Sequence, residues 1–260
     1  DANRESMLVA SYAQNIRTHN MHGEVLKPVD YTRWNPTRAL VDMYLCTDGK
    51  PATKGFEYAT SSTVQLSNLY NVEEYPDYWK NRDPRMAMTI LKPGDAWWGG
   101  DDGDADNAVN DIFNIPRFKN DIIGANCRLG FYAKKYSQGD APNPASDYNK
   151  DYNDIHILRF GEVLLIYAEA KERLGTLTQD DLDRSINLLR DRVGMHHMNL
   201  SELTAWGMDV RKEIRRERAI ELVSEGSRYL DILRYKGDEG NRLGASVLTL
   251  DKKVLDKFKK

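Results

Sequence analysis

From Ile155 to Lys236 the sequence reads as almost continuously helical. Its densest stretch, Glu213–Tyr235, sets arginines and acids around fixed apolar positions. A helix with one apolar stripe has to bury that stripe against a neighbour, so this third of the chain commits the molecule to packed helices. Phe160, Val163, Leu164, Tyr167, Ala170 and Leu174 fall on one predicted face, and Gly175 ends the segment. Thr178 and Asp181 form a capping box for a second helix, in which Leu182, Ile186, Leu189 and Val193 repeat at helical spacing until Gly194. A third helix is expected over about 209–224, and Gly226 separates it from a short one ending at Tyr235.

Two such helices joined by a tight polar turn make an antiparallel pair of tetratricopeptide type, with Ala168 and Ala170 small enough for close approach. Upstream the signals are more broken. Glu5–Ile16 suits either helix or strand. Asn35 is expected to cap a helix starting at Pro36, with Leu40, Val41, Tyr44 and Leu45 on its apolar face and Asp48-Gly49 turning its end. The alternation over Met86–Leu91 predicts a strand stopped by Pro93-Gly94, and Arg128–Tyr136 also has extended character. The segments around 50–80, 94–111 and 138–154 read as loops. The expected architecture is therefore mostly α: an irregular, partly β segment over 1–154, then helical pairs over 155–260, integrated as one domain.

Composition narrows the function. Hydrophobic residues make up 40% and charged residues 30%, a globular mix, and the net charge of -3 gives nucleic acid no electrostatic purchase. No apolar run is long enough to span a membrane. Cys46 and Cys127 do not make a disulfide framework, and their pairing stays open. The sequence carries no phosphate-cradling glycine loop, no zinc spacing and no nucleophile motif. Twenty of the 25 aromatic residues precede residue 161, so the material for a rigid binding platform lies in the first part.

Several blocks, in order, resemble the SusD/RagB family, outer-membrane nutrient-binding lipoproteins of Bacteroidota. These are Trp34–Tyr44 with the Asp48-Gly49 turn, Asn81-Arg-Asp-Pro-Arg85, Arg128–Tyr136, Ile157–Ala170, Ile186–Arg192 and Glu217–Tyr235. The resemblance implies a SusD-like fold, with tetratricopeptide-like pairs supporting ligand-facing loops. It also implies non-catalytic capture of an oligosaccharide at the cell surface and delivery to a TonB-dependent outer-membrane transporter of SusC type. Family members are longer and carry a lipidated cysteine at the mature N-terminus. Their first half has no counterpart here, so the chain is expected to be an internal or C-terminal fragment; neither Cys46 nor Cys127 then matches that cysteine, and the membrane is reached only through a lipid the chain does not itself bear.

Sugar rings present apolar C–H faces that stack on indole and hydroxyl edges that need polar partners. Trp97 and Trp98 are the first candidates for stacking, with Asp101, Asp102 and Asn107 for the edges; Tyr75, Tyr78 and Trp79 form a second aromatic group. Each aromatic has a packing alternative, which is the stronger one for the second group. Asp102, Asp104 and Asp106 alternate as in a calcium loop. Asn107 stands where that loop needs glycine and Phe113 where it needs a bidentate glutamate, so a solvated acidic loop is expected, with calcium as the alternative and no other cofactor. Glu217 and Glu221 lie four apart, which invites comparison with a glycosidase pair. The arginines around them favour the ionised form that a general acid must avoid, so an ion-pair lattice is expected instead. His196 and His197 read as a surface turn. The rival functions are a peptide- or protein-binding helical scaffold and a binder of a non-sugar nutrient.

Overall fold

The computed structural model describes residues 5–21, 35–52, 76–97, 111–112, 131–136 and 151–235. Two compact units divide the chain, Asp1–Ile220 and Glu221–Lys260. In chain order the elements are β1 (Ser6–Ala10), α1 (Arg38–Met43), α2 (Pro76–Trp79), α3 (Pro84–Thr89), β2 (Ala96–Trp97), β3 (Asp111–Ile112), β4 (Ile155–Arg159), α4 (Phe160–Arg173), α5 (Gln179–Asp183), α6 (Ile186–Val193), α7 (Leu200–Ala205), α8 (Val210–Glu221) and α9 (Arg228–Tyr235). The protein is mostly helical, with two small two-stranded antiparallel sheets, β1–β4 and β2–β3, among the described residues.

The helical run begins later than its sequence suggests. Residues 155–159 are strand, paired with β1 in a register that joins Ser6 to Arg159 and Ala10 to Ile155. Glu5 fixes the junction. Its carbonyl accepts from Phe160 N at 2.8 Å, and its carboxylate accepts from Gly161 N at 3.2 Å and from Arg159 Nη1 at 2.9 Å. Arg159 offers no side-chain cap of its own, so a carboxylate from the far end of the chain meets the unpaired amides and positive dipole of the α4 N-terminus. A Cβ on Gly161 would stand 2.7 Å from Arg159 Nη1 and 3.0 Å from Glu5 Oε1, so glycine is what lets that carboxylate approach.

Helices α4 and α6 form the expected pair. Residue 161 lies beside Leu189, whereas Tyr167 and Lys171 lie beside Asp181, so the two run in opposite directions. Gly175 at φ 67° ends α4, and the Thr178–Asp181 capping box is present on both sides. Two details differ from expectation. The buried face of α4 is Gly161, Leu164, Leu165, Ala168 and Glu169; Phe160 (44% exposed), Tyr167, Ala170 and Leu174 (73%) face outward. The buried stripe joins the small Gly161 and Ala168 to Leu164 and Leu165, and a Cβ on Gly161 would stand 3.4 Å from Leu189 of α6. The second helix is also split at Arg184–Ser185. There Ser185, at φ −134° and ψ −95°, leaves helical geometry while its buried hydroxyl donates to the Asp181 carbonyl at 2.5 Å.

In the upstream part, Thr37 rather than Asn35 caps α1, its hydroxyl accepting from Leu40 N at 3.2 Å. Met86–Leu91 is not a strand. Asp83 accepts from Arg85 N at 2.9 Å and Pro84 takes the first helical position, so the residues through Thr89 coil as α3 and only Ile90 bridges to Ala133. A cap followed by proline is a stronger local signal than three alternations. The core of this region gathers Val41, Tyr44, Tyr78, Met86, Ile90, Leu91, Phe131 and Tyr132, together with Ile220 from α8. Thr89 donates its hydroxyl proton to the Arg85 carbonyl at 2.7 Å and so accepts from the buried Tyr44 hydroxyl at 2.5 Å.

In the second unit, Gly226 at φ 84° turns the chain into α9, where Arg234 Nη2 lies 2.9 Å from Asp231 Oδ1. No described helix is long and apolar enough to cross a membrane.

Candidate functional site

A depression of about 280 Å³, including the part open to solvent, lies where α2 meets α3. Trp79, Met86, Ala87 and Ile90 supply apolar surface; Arg82, Asp83 and Lys92 supply charge. Trp79 is half-buried and held edge-on against Tyr78 (centroids 5.2 Å apart) and Phe131 (6.2 Å), so its ring is presented in a fixed attitude.

The charged wall comes from the block Asn81–Arg85, each residue of which has a local task. Asn81 takes φ 52° to reverse the chain after α2. Arg82 then reaches under α1, donating from Nη2 to the carbonyls of Val41 and Tyr44 at 2.9 Å each and from Nη1 to that of Tyr78 at 2.8 Å. These include carbonyls at the α1 C-terminus, where a helix leaves acceptors unpaired. Burial pulls the Arg82 pKa below the ordinary arginine value, with Tyr78, Cys46, Asp42 and Asp83 opposing it. Asp83 caps α3 and binds Arg85 through both carboxylate oxygens, at 2.7 to 3.2 Å.

The rim leads into the segment that carries the predicted platform. Lys92-Pro93-Gly94-Asp95 is a turn with proline second and Gly94 third at φ 87°, the pattern of type II. Asp95 closes it, accepting from Lys92 N at 3.2 Å and pairing with Lys134 Nζ at 3.2 Å. Trp97 follows in β2, opposite Asp111 of β3. In sequence Trp98, Asp101, Asp102, Asp104, Asp106 and Asn107 fall between β2 and β3; they and Tyr75 are outside the described residues. Of the second aromatic group, Tyr78 is core: 1% exposed, its phenol pKa raised by burial and by Asp42. Trp79 alone of that pair lines the depression. Sequence reasoning did not single out Arg82, Met86 or Lys92. The strand expected over Met86–Leu91 would have dispersed them, whereas the α3 turn gathers them; the Asp83-Pro84 cap was the available signal.

The arginine and acid lattice proves to be internal. Glu217 is 2% exposed, with Arg85 Nη1 at 2.6 Å from one oxygen and Arg190 Nη2 at 2.9 Å from the other. Burial opposes its ionisation, but the two guanidiniums outweigh burial and hold its pKa below the usual carboxylate range. Arg190 also donates to the His196 carbonyl at 3.0 Å, and Arg218 pairs with Glu162 of α4 at 2.8 Å. Such a glutamate cannot be a proton donor near neutrality. His196 and His197 face Glu202 and Asp191, each at 2.6 Å, on the surface. Cys46 is a free thiol whose pKa burial pushes up.

Residues 7–257 match the model of the SusD family. A crystal structure of a SusD-like carbohydrate binding protein from Bacteroides fragilis superposes with a TM-score of 0.65 at 26% identity, covering 90% of this chain and 42% of that one. A second SusD-like protein from Bacteroides fragilis gives a TM-score of 0.66 at 23% identity, covering 90% of this chain and 44% of that one. No curated protein matches the sequence. The chain thus spans less than half the length of these two solved structures.

Proposed function

The chain belongs to the SusD family, and from that premise we propose that it binds an oligosaccharide at the bacterial cell surface, without catalysis, and passes it to an outer-membrane transporter. The observation that carries the reading is the placement of Trp79 beside a concave surface whose rim, at Lys92–Asp95, runs directly into Trp97. A fixed indole next to polar groups suits the apolar face and hydroxyl edge of a sugar ring. Trp97 and Trp98 extend the stacking surface, with Asp101, Asp102 and Asn107 as edge partners. The likeness to the SusD-like carbohydrate binding protein of Bacteroides fragilis supports the same ligand class. The guanidinium-bound Glu217 supports capture without hydrolysis, since this member of the acid pair suggested by Glu217 and Glu221 is not poised to donate a proton. The transporter is of the TonB-dependent, SusC-like type, and the location is the outer membrane of a member of the Bacteroidota, through a lipid anchor.

Tryptophan-fluorescence titration against polysaccharide-derived oligosaccharides tests this. Saturable binding to one glycan class is expected, with Trp79→Ala, Trp97→Ala or Trp98→Ala weakening it by roughly tenfold, the equivalent of about 1.4 kcal/mol. A folded chain that binds no member of the panel contradicts the reading. A second reading, a scaffold for a peptide or protein, is favoured by the outward Phe160, Ile166, Tyr167 and Leu174 of α4. Saturable binding of peptides with no response to glycans would select it, or the related case of a non-sugar nutrient.

A further inference from the structure

His19 is held so that the position of its proton can be read from its neighbours. Its Nδ1 accepts from the Met21 amide at 3.2 Å, so that nitrogen carries no hydrogen. Its Nε2 lies 2.9 Å from the Asn153 carbonyl, an oxygen that can only accept, so Nε2 is the donor. The two bonds together require the neutral ring with its hydrogen on Nε2. We propose that His19 is a proton-operated clasp, which holds Met21 when neutral and exchanges it for Asp151 when protonated.

The exchange follows from what stands at Nδ1. A second proton on the ring goes to that nitrogen and turns it from acceptor to donor, so it meets the Met21 N–H donor to donor. Asp151 Oδ2 lies 3.7 Å from the same nitrogen, where a charged ring finds an acceptor. Asp151 has a further interaction of its own. A carboxylate offers about four acceptor sites, so the exchange does not require that interaction to be given up. The backbone keeps the two residues together in both states. His19 N donates to the Asp151 carbonyl at 2.8 Å, and Asp151 N donates to the His19 carbonyl at 3.1 Å. The bond from Nε2 to Asn153 also serves both states, since Nε2 is a donor in each. Protonation therefore breaks one bond, that of Met21, and leaves the rest of the clasp closed.

The surroundings make the state of the ring matter. The side chains of His19 and Asp151 are 13% and 11% exposed, so little water is at hand to replace a lost bond. Tyr12 packs against the imidazole at a centroid distance of 4.6 Å and an interplanar angle of 83°. Arg17 lies over the Tyr12 ring, 4.7 Å from its centroid, and Asp154 accepts from Tyr12 N at 2.9 Å. Among the described residues, Asp151, Asp154, Tyr12 and Arg17 are thus the titratable and charged groups around His19. An acid stands beside Nδ1, and a cation stands on the far partner of the tyrosine.

The test is nuclear magnetic resonance of the whole ¹⁵N-labelled chain, titrated from about pH 8 to about pH 5, the range in which histidine changes charge. At the upper end the His19 ring is expected to carry hydrogen on Nε2 alone. As Nδ1 gains its proton, the Met21 amide should shift with the same midpoint. Its exchange with solvent, corrected for the intrinsic effect of pH, should become about fivefold faster. The His19 amide, bonded to the Asp151 carbonyl, should keep its protection. The new Nδ1 hydrogen, held by Asp151, should appear as a protected resonance that Asp151→Ala removes. His19→Asn separates the bond from the charge, because a carboxamide oxygen accepts from the amide two residues on whatever the pH. In that variant the Met21 amide should not titrate. A ring with hydrogen on Nδ1 near pH 8, or a Met21 amide that ignores the His19 midpoint, overturns the proposal. So does a Met21 titration that survives in His19→Asn, or a protonated ring whose Nδ1 hydrogen is indifferent to Asp151→Ala.

Discussion

Glu217 shows how a single residue can hold a fold together and how its chemistry excludes another role. Its carboxylate lies between Arg85 and Arg190, out of water, so removing the charge leaves two buried guanidiniums facing one another. Breaking such a pair costs about 3 to 5 kcal/mol, whereas replacing all partners with apolar groups can be neutral. Glu217→Gln is therefore expected to lower the unfolding free energy at pH 7, measured by urea denaturation, by an amount in that range, unlike a half-exposed control such as Glu202→Gln. The pH dependence has a definite sign. The folded-state pKa lies below the unfolded value of about 4.3, so the stabilisation is complete above that value and is lost as pH falls through the lower folded one. Urea midpoints measured from pH 7 to pH 3 should drop more steeply for the parent than for the glutamine variant; parallel curves would show that the carboxylate contributes nothing. The ion-pair role of this residue was legible in the sequence from the arginines crowding it. Its main partner was not, because Arg85 lies far upstream and only the fold brings it near.

At the scale of elements, local chemistry was legible and facing was not. The Thr178 box, the Gly175 and Gly194 stops and the Gly226 break are short-range signals, and each stands where the sequence puts it. Thr178 accepts from Asp181 N, and Asp181 returns the bond to Thr178 N at 3.0 Å while also accepting from Tyr167 at 2.5 Å. The Tyr167 and Thr178 bonds hold the Asp181 pKa well below the usual range. Thr178→Ala should cost about 1 kcal/mol, seen as a lower thermal midpoint, and Thr178→Ser should restore most of it. Gly175→Ala places a Cβ in left-handed backbone at φ 67° and is expected to cost about 1 kcal/mol as well, although open space surrounds the position. Equal midpoints for Gly175→Ala and the parent would rule out that strain. The buried stripe of α4 differs from the predicted one because helical periodicity counts apolar residues and cannot see a neighbour. Leu164 and Leu165 are buried with Gly161 and Ala168, while Phe160, Tyr167 and Leu174 of the predicted face are left outside. The site suffered the same way. Trp79 and Trp97 stood out as aromatics, but the depression exists only because Asp83-Pro84 starts a helix where a strand was expected.

For the molecule as a whole, the question is whether residues 1–154 and 155–220 make one cooperative body. Three independent ties cross between them: β1 with β4, Arg85 with Glu217, and Ile220 of α8 inside the cluster of Val41, Tyr78 and Phe131. The last two ties remove charge or apolar surface from water that neither segment could bury alone, so partial unfolding would expose a half-core and an unpaired buried ion. We propose that they form one integrated domain. Trp79, packed on the central cluster, and Trp206, at the end of α7, report from opposite sides of the 154/155 boundary. With fluorotryptophan incorporated, their two ¹⁹F resonances, assigned by Trp79→Phe and Trp206→Phe, should vanish at the same urea concentration. Arg85→Met should shift both midpoints together, because the ion it leaves behind, Glu217, belongs to the other segment. Resonances that melt apart, or an Arg85→Met shift confined to Trp79, would divide the chain into two domains at that boundary. A common midpoint would mean that the loop-bearing segment owes its rigidity, and with it the fixed attitude of Trp79, to helices that do not touch the ligand.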